Sequence, residues 1–392
     1  MRVLVSGASI AGPTLAYWLH RYGFEVTVVE KAGRLRGGGY PIDIRGTALG
    51  VVERMGLLPR LRDAHVDTRR VSFVDIDGDP VGSVEPESLT GGVQGRDIEV
   101  RRGDLADALY DTVRNDVEFV FGDSIAVLDE HDGGVDVTFE SGTRRTFDLV
   151  VGADGIHSNT RGLVFGPEER YHRYLGFCFA GFTMRNIWGL EREGLTWNTP
   201  GRAAVLYAAG DGERVHGFLV FSRPEAPFEA FRDPAAQREL VASYFPDERW
   251  EIPRMVAAMR DADDLFFDVV SQIRMPRWSA GRTALVGDAA YAPSFFSGQG
   301  SSIALVGSYV LAGELATRKD HAAAFTAYES GVREFVELNQ ALADTGAPSI
   351  APRTAEELAA RNAALRDPAF LAEDERREVN SAFTLPDYDG IR

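Results

Sequence analysis

Thirty residues at the start of this chain leave little freedom in how the rest can fold. Val3, Leu4 and Val5 form an apolar run that opens into Gly7-Ala8-Ser9-Ile10-Ala11-Gly12. A helical pattern follows through Leu15, Leu19 and Tyr22, and Gly23 turns the chain into Val26-Thr27-Val28-Val29, which ends on Glu30. Strand, glycine turn, helix, strand and acid, in that order, are the requirements of a βαβ unit that binds a dinucleotide. Gly7 permits the sharp exit from the strand, and Gly12 lets the helix pack closely on the sheet. The free N–H groups around Ile10 and Ala11 and the helix dipole favour a pyrophosphate. Glu30 can accept hydrogen bonds from ribose hydroxyls, with Lys31 beside it. Ser9 replaces the middle glycine of G-x-G-x-x-G; its β-carbon narrows the phosphate's approach while its hydroxyl can donate to it.

At 392 residues and 44% hydrophobic, the chain can bury a large core and is expected to divide into two domains. A formal net charge of −17 argues against nucleic acid or an anionic membrane as partner. The single cysteine, Cys178, excludes an intrachain disulfide and a cysteine-based zinc site, and points to a reducing compartment. No apolar run approaches membrane-spanning length and no basic–apolar signal precedes the first strand, so the expected location is the cytoplasm. The seven histidines (20, 65, 131, 157, 172, 216 and 321) show no metal-ligand spacing, so no metal is expected, and no catalytic triad stands out.

After Glu30, Gly37-Gly38-Gly39 marks a turn, followed by Tyr40 to Gly46 with Asp43 and Arg45. Helical spacing runs from Ala48 to Leu58. Residues 71 to 84 alternate as strands about an Asp77-Gly78 turn, and 85 to 97 read as a polar loop. Arg102-Gly103-Asp104-Leu105 opens a helix. Strands are expected at 117–120 and 125–127, and a hairpin turns at Ser141-Gly142. Leu149-Val150-Val151 then runs into Gly152-Ala153-Asp154-Gly155. Between about Tyr171 and Pro276, aromatic and β-branched segments predict a largely antiparallel sheet with helices near 237–244 and 254–261. Thr283 to Val286 returns to the earlier pattern, with Gly287-Asp288, a Pro293 loop, Gly298-Gln299-Gly300 and a long apolar helix. From His321 onward, alanine-rich amphipathic helices are expected on the outside of the core.

These residues resemble the class A flavoprotein monooxygenases, the group of para-hydroxybenzoate hydroxylase and the tetracycline-inactivating hydroxylases. Gly7 to Gly12 with Glu30, the Asp-Gly motif from Gly152 to Arg161, and the Gly-Asp motif from Gly287 to Gly300 carry the likeness, with Arg102 between the first two. Gly38 to Asp43 looks especially like the tetracycline-hydroxylase branch. The resemblance implies an α/β fold, with a Rossmann-like FAD-binding domain (1–75, 98–170 and 277–318), an inserted mainly antiparallel sheet for substrate (76–97 and 171–276), and C-terminal helices (319–392).

It also implies FAD, with Glu30 on the adenosine ribose, Arg102 on the ribityl and phosphate side, Asp288 on the ribityl chain, and Gly298, Gln299, Gly300 and Ser301 at the isoalloxazine's pyrimidine edge. Asp154 and Gly155 would contact cofactor or nicotinamide, and Arg45 would sit at the flavin edge. NADPH or NADH would reduce the FAD, O2 would add at flavin C4a, and the hydroperoxide would oxygenate an aromatic or polyketide-like small molecule. Candidate substrate residues are Phe179, Trp197, Tyr207, Phe218, Pro293 and Phe295, although strand alternation makes core the simpler reading for any one of the middle-domain aromatics. Tyr291 and Ser302 stand where the family often has histidine and asparagine. A flavin-dependent halogenase is an alternative, but the W-x-W-x-I-P element is missing around Trp188 and Trp197. A non-catalytic flavin- or small-molecule-binding protein is another. A monomer or weak homodimer is expected.

Overall fold

The computed structural model describes all residues but Arg36, Gly38, Gly210, Asp211, Arg232, Asp247, Glu248, 367–374, Asp389, Ile391 and Arg392. The reading of Gly38 as part of a family segment therefore lies outside the described residues. In chain order the strands are β1 (Arg2–Ser6), β2 (Glu25–Glu30), β3 (Pro41–Ile44), β4 (Arg70–Val74), β5 (Pro80–Val84), β6 (Ile98–Arg101), β7 (Glu118–Phe121), β8 (Ile125–His131), β9 (Gly134–Phe139), β10 (Arg144–Phe147) and β11 (Leu149–Gly152). They continue as β12 (His172–Arg185), β13 (Glu193–Thr199), β14 (Arg202–Tyr207), β15 (Arg214–Ser222), β16 (Phe266–Ile273), β17 (Ser279–Ala280) and β18 (Thr283–Leu285).

The sheet that positions everything else has the order β17-β18-β11-β1-β2-β7. All its pairings are parallel except β17 with β18. Its central strands are apolar on both faces, as a parallel sheet covered on both sides requires. Val3, Leu4, Val5, Val150, Val151 and Leu285 are fully buried. The helices Ala11–Arg21 and Gly300–Thr317 pack on one another over this sheet, where the Ser308 hydroxyl donates to the Ala11 carbonyl at 3.1 Å.

A second sheet of seven strands, β16-β12-β15-β14-β13-β4-β5, is antiparallel apart from β13 against β4. Its first strand in sequence begins at Arg70, ahead of the division expected at residue 75. Four of its strands, β12 to β15, and β16 fall in the stretch expected to form a largely antiparallel sheet. A short helix, Pro86–Thr90, stands within the stretch expected to be loop.

The C-terminal part corrects an expectation more sharply. The helix His321–Ile350 is not merely laid on the outside. Gln340 donates to the Ile273 carbonyl at 2.9 Å, and Gln272 donates to the carbonyls of Gln340 (2.6 Å) and Pro293 (3.1 Å). The chain after it returns to the first sheet's helices: Arg54 and Tyr309 both donate to the Pro386 carbonyl, at 2.9 and 2.8 Å. Amphipathic periodicity shows which face of a helix is buried but not which surface it covers.

Gly12 is required by packing, because an added β-carbon would clash with the Gly7 carbonyl oxygen. Gly12→Ala should therefore cost about 1–3 kcal/mol of stability through forced backbone movement. A denaturant midpoint equal to wild type would exclude this.

Candidate active site

The three sequence motifs leave three neighbouring parallel strands at the same edge of the sheet. Gly7 follows β1, Ala153 follows β11 and Val286 follows β18. Backbone bonds tie them: the Ala153 N–H donates to the Ser6 carbonyl (2.8 Å), the Val286 N–H to Gly152 (2.9 Å) and the Gly7 N–H to Val29 (2.7 Å). The carboxyl ends of parallel strands are where an open α/β sheet binds its ligand. Gly7 has φ +109° and Gly287 φ +66°, backbone that a side chain resists, and an added β-carbon on Gly7 would strike the Ala153 carbonyl. Arg161, fully buried on the helix Asn159–Phe165, straps the second motif to the third. It donates to the carbonyls of Ile156 (2.6 Å) and Ala289 (3.0 Å) and pairs with Glu168 at 2.5 Å.

The turns open on one cleft of about 1600 Å³, larger than the roughly 300–1,000 Å³ usual for a single small-ligand pocket. Gly7, Ser9, Ile10, Ala11, Glu30, Lys31, Arg45, Arg102, Asp154, Gly155, Asp288, Pro293, Gly298, Gly300 and Ser301 all line it. Gly12 and Gly287 lie behind the wall as packing positions, Gly287 against Ala11 and Ala304. Gln299 is 1% exposed between two wall glycines, and neither its amide nitrogen nor its amide oxygen has a partner among the described residues. Buried polar atoms of this kind ordinarily find one.

Individual contacts refine the expectations. Glu30 accepts the N–H groups of Ala8 and Ala32, both at 2.9 Å, so it holds the glycine turn as well as facing the cleft. Arg102 donates to the Ser9 hydroxyl at 2.7 Å; the departure from glycine at position 9 thus supplies a partner for the arginine. Asp154 accepts from Ser158 (2.5 Å) and from the Thr160 N–H and hydroxyl (2.9 and 2.8 Å), bonds that shape its turn, while Ser158 caps the following helix. Arg45 is 3% exposed, pairs with Asp43 at 2.5 Å and donates to the Thr90 carbonyl at 3.0 Å. Burial pushes the Asp288 carboxyl above its usual range, and nearby Arg102 partly offsets this. The two departures from the family pattern have local partners: the Ser302 hydroxyl accepts the Arg45 N–H, and the Tyr291 hydroxyl accepts from Tyr328 in space that Gly307 leaves open.

The far end of the cleft is aromatic. Phe179 stacks on Phe295 at 4.7 Å, Phe266 lies 5.6 Å from Phe179, and Tyr40 meets Phe218 edge-on at 5.7 Å. Of the candidate substrate residues, Phe179, Tyr207, Phe218, Pro293 and Phe295 line the cleft. Trp197 does not: it is fully buried, donates to the Ile76 carbonyl at 3.2 Å and stacks on Trp250. On a strand with one face in a core, alternation alone does not say which face that is.

Sequence reasoning missed Thr68, Glu99, His157 and Asp268, all on the wall. For Glu99 a signal existed, since Ile98-Glu99-Val100-Arg101 alternates and puts Glu99 and Arg101 on one side. For His157 there was none. Its ring bridges Glu168 (2.7 Å) and Asp268 (3.3 Å), joining the Asp-Gly turn to the second sheet, and these two hydrogen bonds raise its pKa to about 10. No cluster able to hold a metal ion occurs among the described residues.

Comparison with known proteins agrees with this geometry. The family model described as "FAD binding domain" matches residues 1–339, and the chain belongs to that family, as a flavin-dependent oxidoreductase of the monooxygenase class. It is 44% identical over 358 residues to uncharacterized protein Rv1260 of Mycobacterium tuberculosis, covering 91% of this chain and 96% of that one. It is 39% identical over 341 residues to a flavin-dependent monooxygenase from an unknown prokaryotic organism, covering 87% and 88%. The crystal structure of tetracycline destructase Tet(55) superposes with a TM-score of 0.85 at 35% identity, covering 98% of both chains. No helix among the described residues is long and apolar enough to cross a membrane.

Two outcomes follow from these contacts. Glu30→Ala removes a charged acceptor worth about 1.5–3 kcal/mol, so FAD should bind roughly 10- to 150-fold more weakly; equal flavin occupancy in titrations of mutant and wild type would contradict the assignment. The stabilisation from His157 should be complete below about pH 6.5, its unfolded-state pKa, and fade as pH rises through about 10. Denaturation of wild type and His157→Gln across that range should show their difference shrinking toward high pH; a constant difference would exclude the charged bridge.

Proposed function

We propose that this protein uses FAD, NADPH or NADH, and O2 to hydroxylate or otherwise oxygenate an aromatic or polyketide-like small molecule. The observation that supports this reading best is the single cleft with three glycine-and-acid turns at one end and stacked phenylalanines at the other. Bound FAD would supply the redox chemistry, taking electrons from the nicotinamide and passing on one oxygen atom of O2. The residues fit it: Gly7 permits close backbone approach, and the Gln299 amide, between the wall residues Gly298 and Gly300, has no partner among the described residues and would be open to a polar ring edge.

The chain's own tasks are then binding, orientation and exclusion of water. Glu30 and Lys31 would hold the adenosine side, with the pyrophosphate at the start of the helix Ala11–Arg21. Arg102 would face the ribityl and phosphate groups from its seat on Ser9, and Asp288 would hydrogen-bond the ribityl chain. Asp154, Gly155 and Arg45 would contact the ring's approaches and the reductant. Gly298 to Ser301, at the positive end of the helix Gly300–Thr317, would favour negative charge on the reduced ring. Phe179, Phe218, Pro293 and Phe295 would clamp a flat substrate. The second sheet with its flanking segments acts as the substrate domain in this reading, and the protein works as a cytoplasmic monomer or weak homodimer.

The test is direct. The purified protein should show a flavin absorption spectrum, or gain one with added FAD, and should oxidise NADPH or NADH faster when a suitable aromatic compound is present, with product mass increased by one oxygen atom. A colourless protein that takes up no FAD would overturn the proposal, and so would reductant oxidation that no aromatic compound changes.

A further inference from the structure

The two rings that a flat substrate would have to lie between are already in contact. Phe179 on β12 and Phe295 stack with ring centroids 4.7 Å apart and planes 17° from parallel. A third ring between them needs two layers of van der Waals contact, roughly 7 Å in all. Phe295 therefore fills the place of the ligand. Phe179 is held from both sides, because β12 pairs with β15 and β16. Phe295 is only half-buried and belongs to the short turn Phe295–Ser297.

That turn is strained at one residue. Ser294 has φ +96° and ψ 151°, backbone that is essentially restricted to glycine. The other described non-glycine residues of positive φ, Asp67, Arg192 and Trp250, lie at +49° to +54°, where a side chain is tolerated. Local bonds hold Ser294 in place. Its hydroxyl accepts the Phe296 N–H at 3.3 Å, and its carbonyl accepts the Ser297 N–H and hydroxyl at 3.2 and 2.9 Å. The flanks are anchored: Gln272 donates to the Pro293 carbonyl at 3.1 Å, and Phe296 packs edge-on against Phe177 at 5.1 Å. The Phe295 ring, by contrast, rests on Phe179, Phe218 and Tyr40, all on the cleft wall.

We propose that Phe295 is a shape-selective gate: without ligand it stacks on Phe179 in the substrate's place, and it yields to a flat ring that takes over that stack as the turn at Ser294 relaxes. This rests on the aromatic-substrate reading above. A flat ligand recovers the ring contact that Phe295 gives up, and a puckered or branched one does not. Strain at Ser294 weakens the closed turn, and backbone of this kind shifts the balance toward the open state by about 5- to 150-fold. Apparent affinity scales with the open fraction, so Ser294 sets how readily the site admits its ligand.

Two measurements test this. In the FAD-loaded protein, stopped-flow fluorescence follows the binding of acridine, a flat three-ring probe. For wild type the observed rate should level off as acridine concentration rises, because opening limits it; for Phe295→Ala it should rise in proportion. Ser294→Gly accepts this backbone without strain. It should bind acridine about 5- to 150-fold more weakly than Ser294→Ala, which keeps the β-carbon and likewise lacks the hydroxyl. Equal affinities of those two variants, or a plateau that Phe295→Ala keeps, overturn the proposal.

The second measurement reads the ring itself, by fluorine NMR of protein labelled with 4-fluorophenylalanine. Phe295→Leu identifies the signal, and flavin absorption of each variant reports folding. The Phe295 signal should be doubled or exchange-broadened in wild type and single and sharp in Ser294→Gly. A sharp signal in both overturns the proposal. If neither wild type nor Phe295→Ala binds acridine, that counts against the aromatic-substrate reading instead, and the fluorine spectrum decides the gate alone.

Discussion

The architecture depends on the close approach of three backbone turns at the edge formed by β1, β11 and β18. Parallel pairing sets the strands' carboxyl ends side by side, and the glycines remove the β-carbons that would hold the turns apart. Gly12 seats the first helix on the first turn, Gly287 lies against Ala11, and Arg161 ties the second turn to the third with bonds to two carbonyls. A guanidinium buried without exposure is costly unless its donors are matched. Its two Nη groups bond Glu168 and those carbonyls, while its Nε has no partner among the described residues; these bonds tie the corner together, and a fixed corner is what a large cofactor needs from its cradle.

Much of that corner was legible because each motif is local. Residues 7 to 12 and Glu30 lie within one βαβ unit, so spacing alone carries the geometry, and the other two motifs repeat the sequence of strand, glycine and acid. Trp197 shows where local pattern stops: it belongs to the second sheet but faces its core, and only the partner packed beneath decides that. Glu99 and Thr68 were missed for a related reason. They meet Tyr207 only after β3 pairs with β6 and β4 with β13, contacts set by the whole fold. His157 makes its bond to Asp268 across 111 residues of sequence, and nothing near either residue announces it.

The cleft has a lining of two kinds. Stacked phenylalanine suits a flat molecule without specifying its substituents. Tyr207, on the same sheet face as Phe218, stands with Glu99, Thr68, Asp43 and Arg45, and a polar group brought there must satisfy them or leave them unpaired. The helix His321–Ile350 completes this enclosure through Gly346, Ser349 and Ile350, so a segment that sequence pattern assigned to the periphery helps to shape the site.

The order of the central sheet has a consequence for how the chain is made. β1 is flanked by β2 and β11, and β11 in turn needs β18, whose last residue is Leu285. At about 5–20 residues per second of synthesis, the first strand emerges tens of seconds before the sheet can be finished. The nascent protein therefore spends that interval with an apolar parallel edge uncovered, a period in which chaperone capture and misassembly compete with completion.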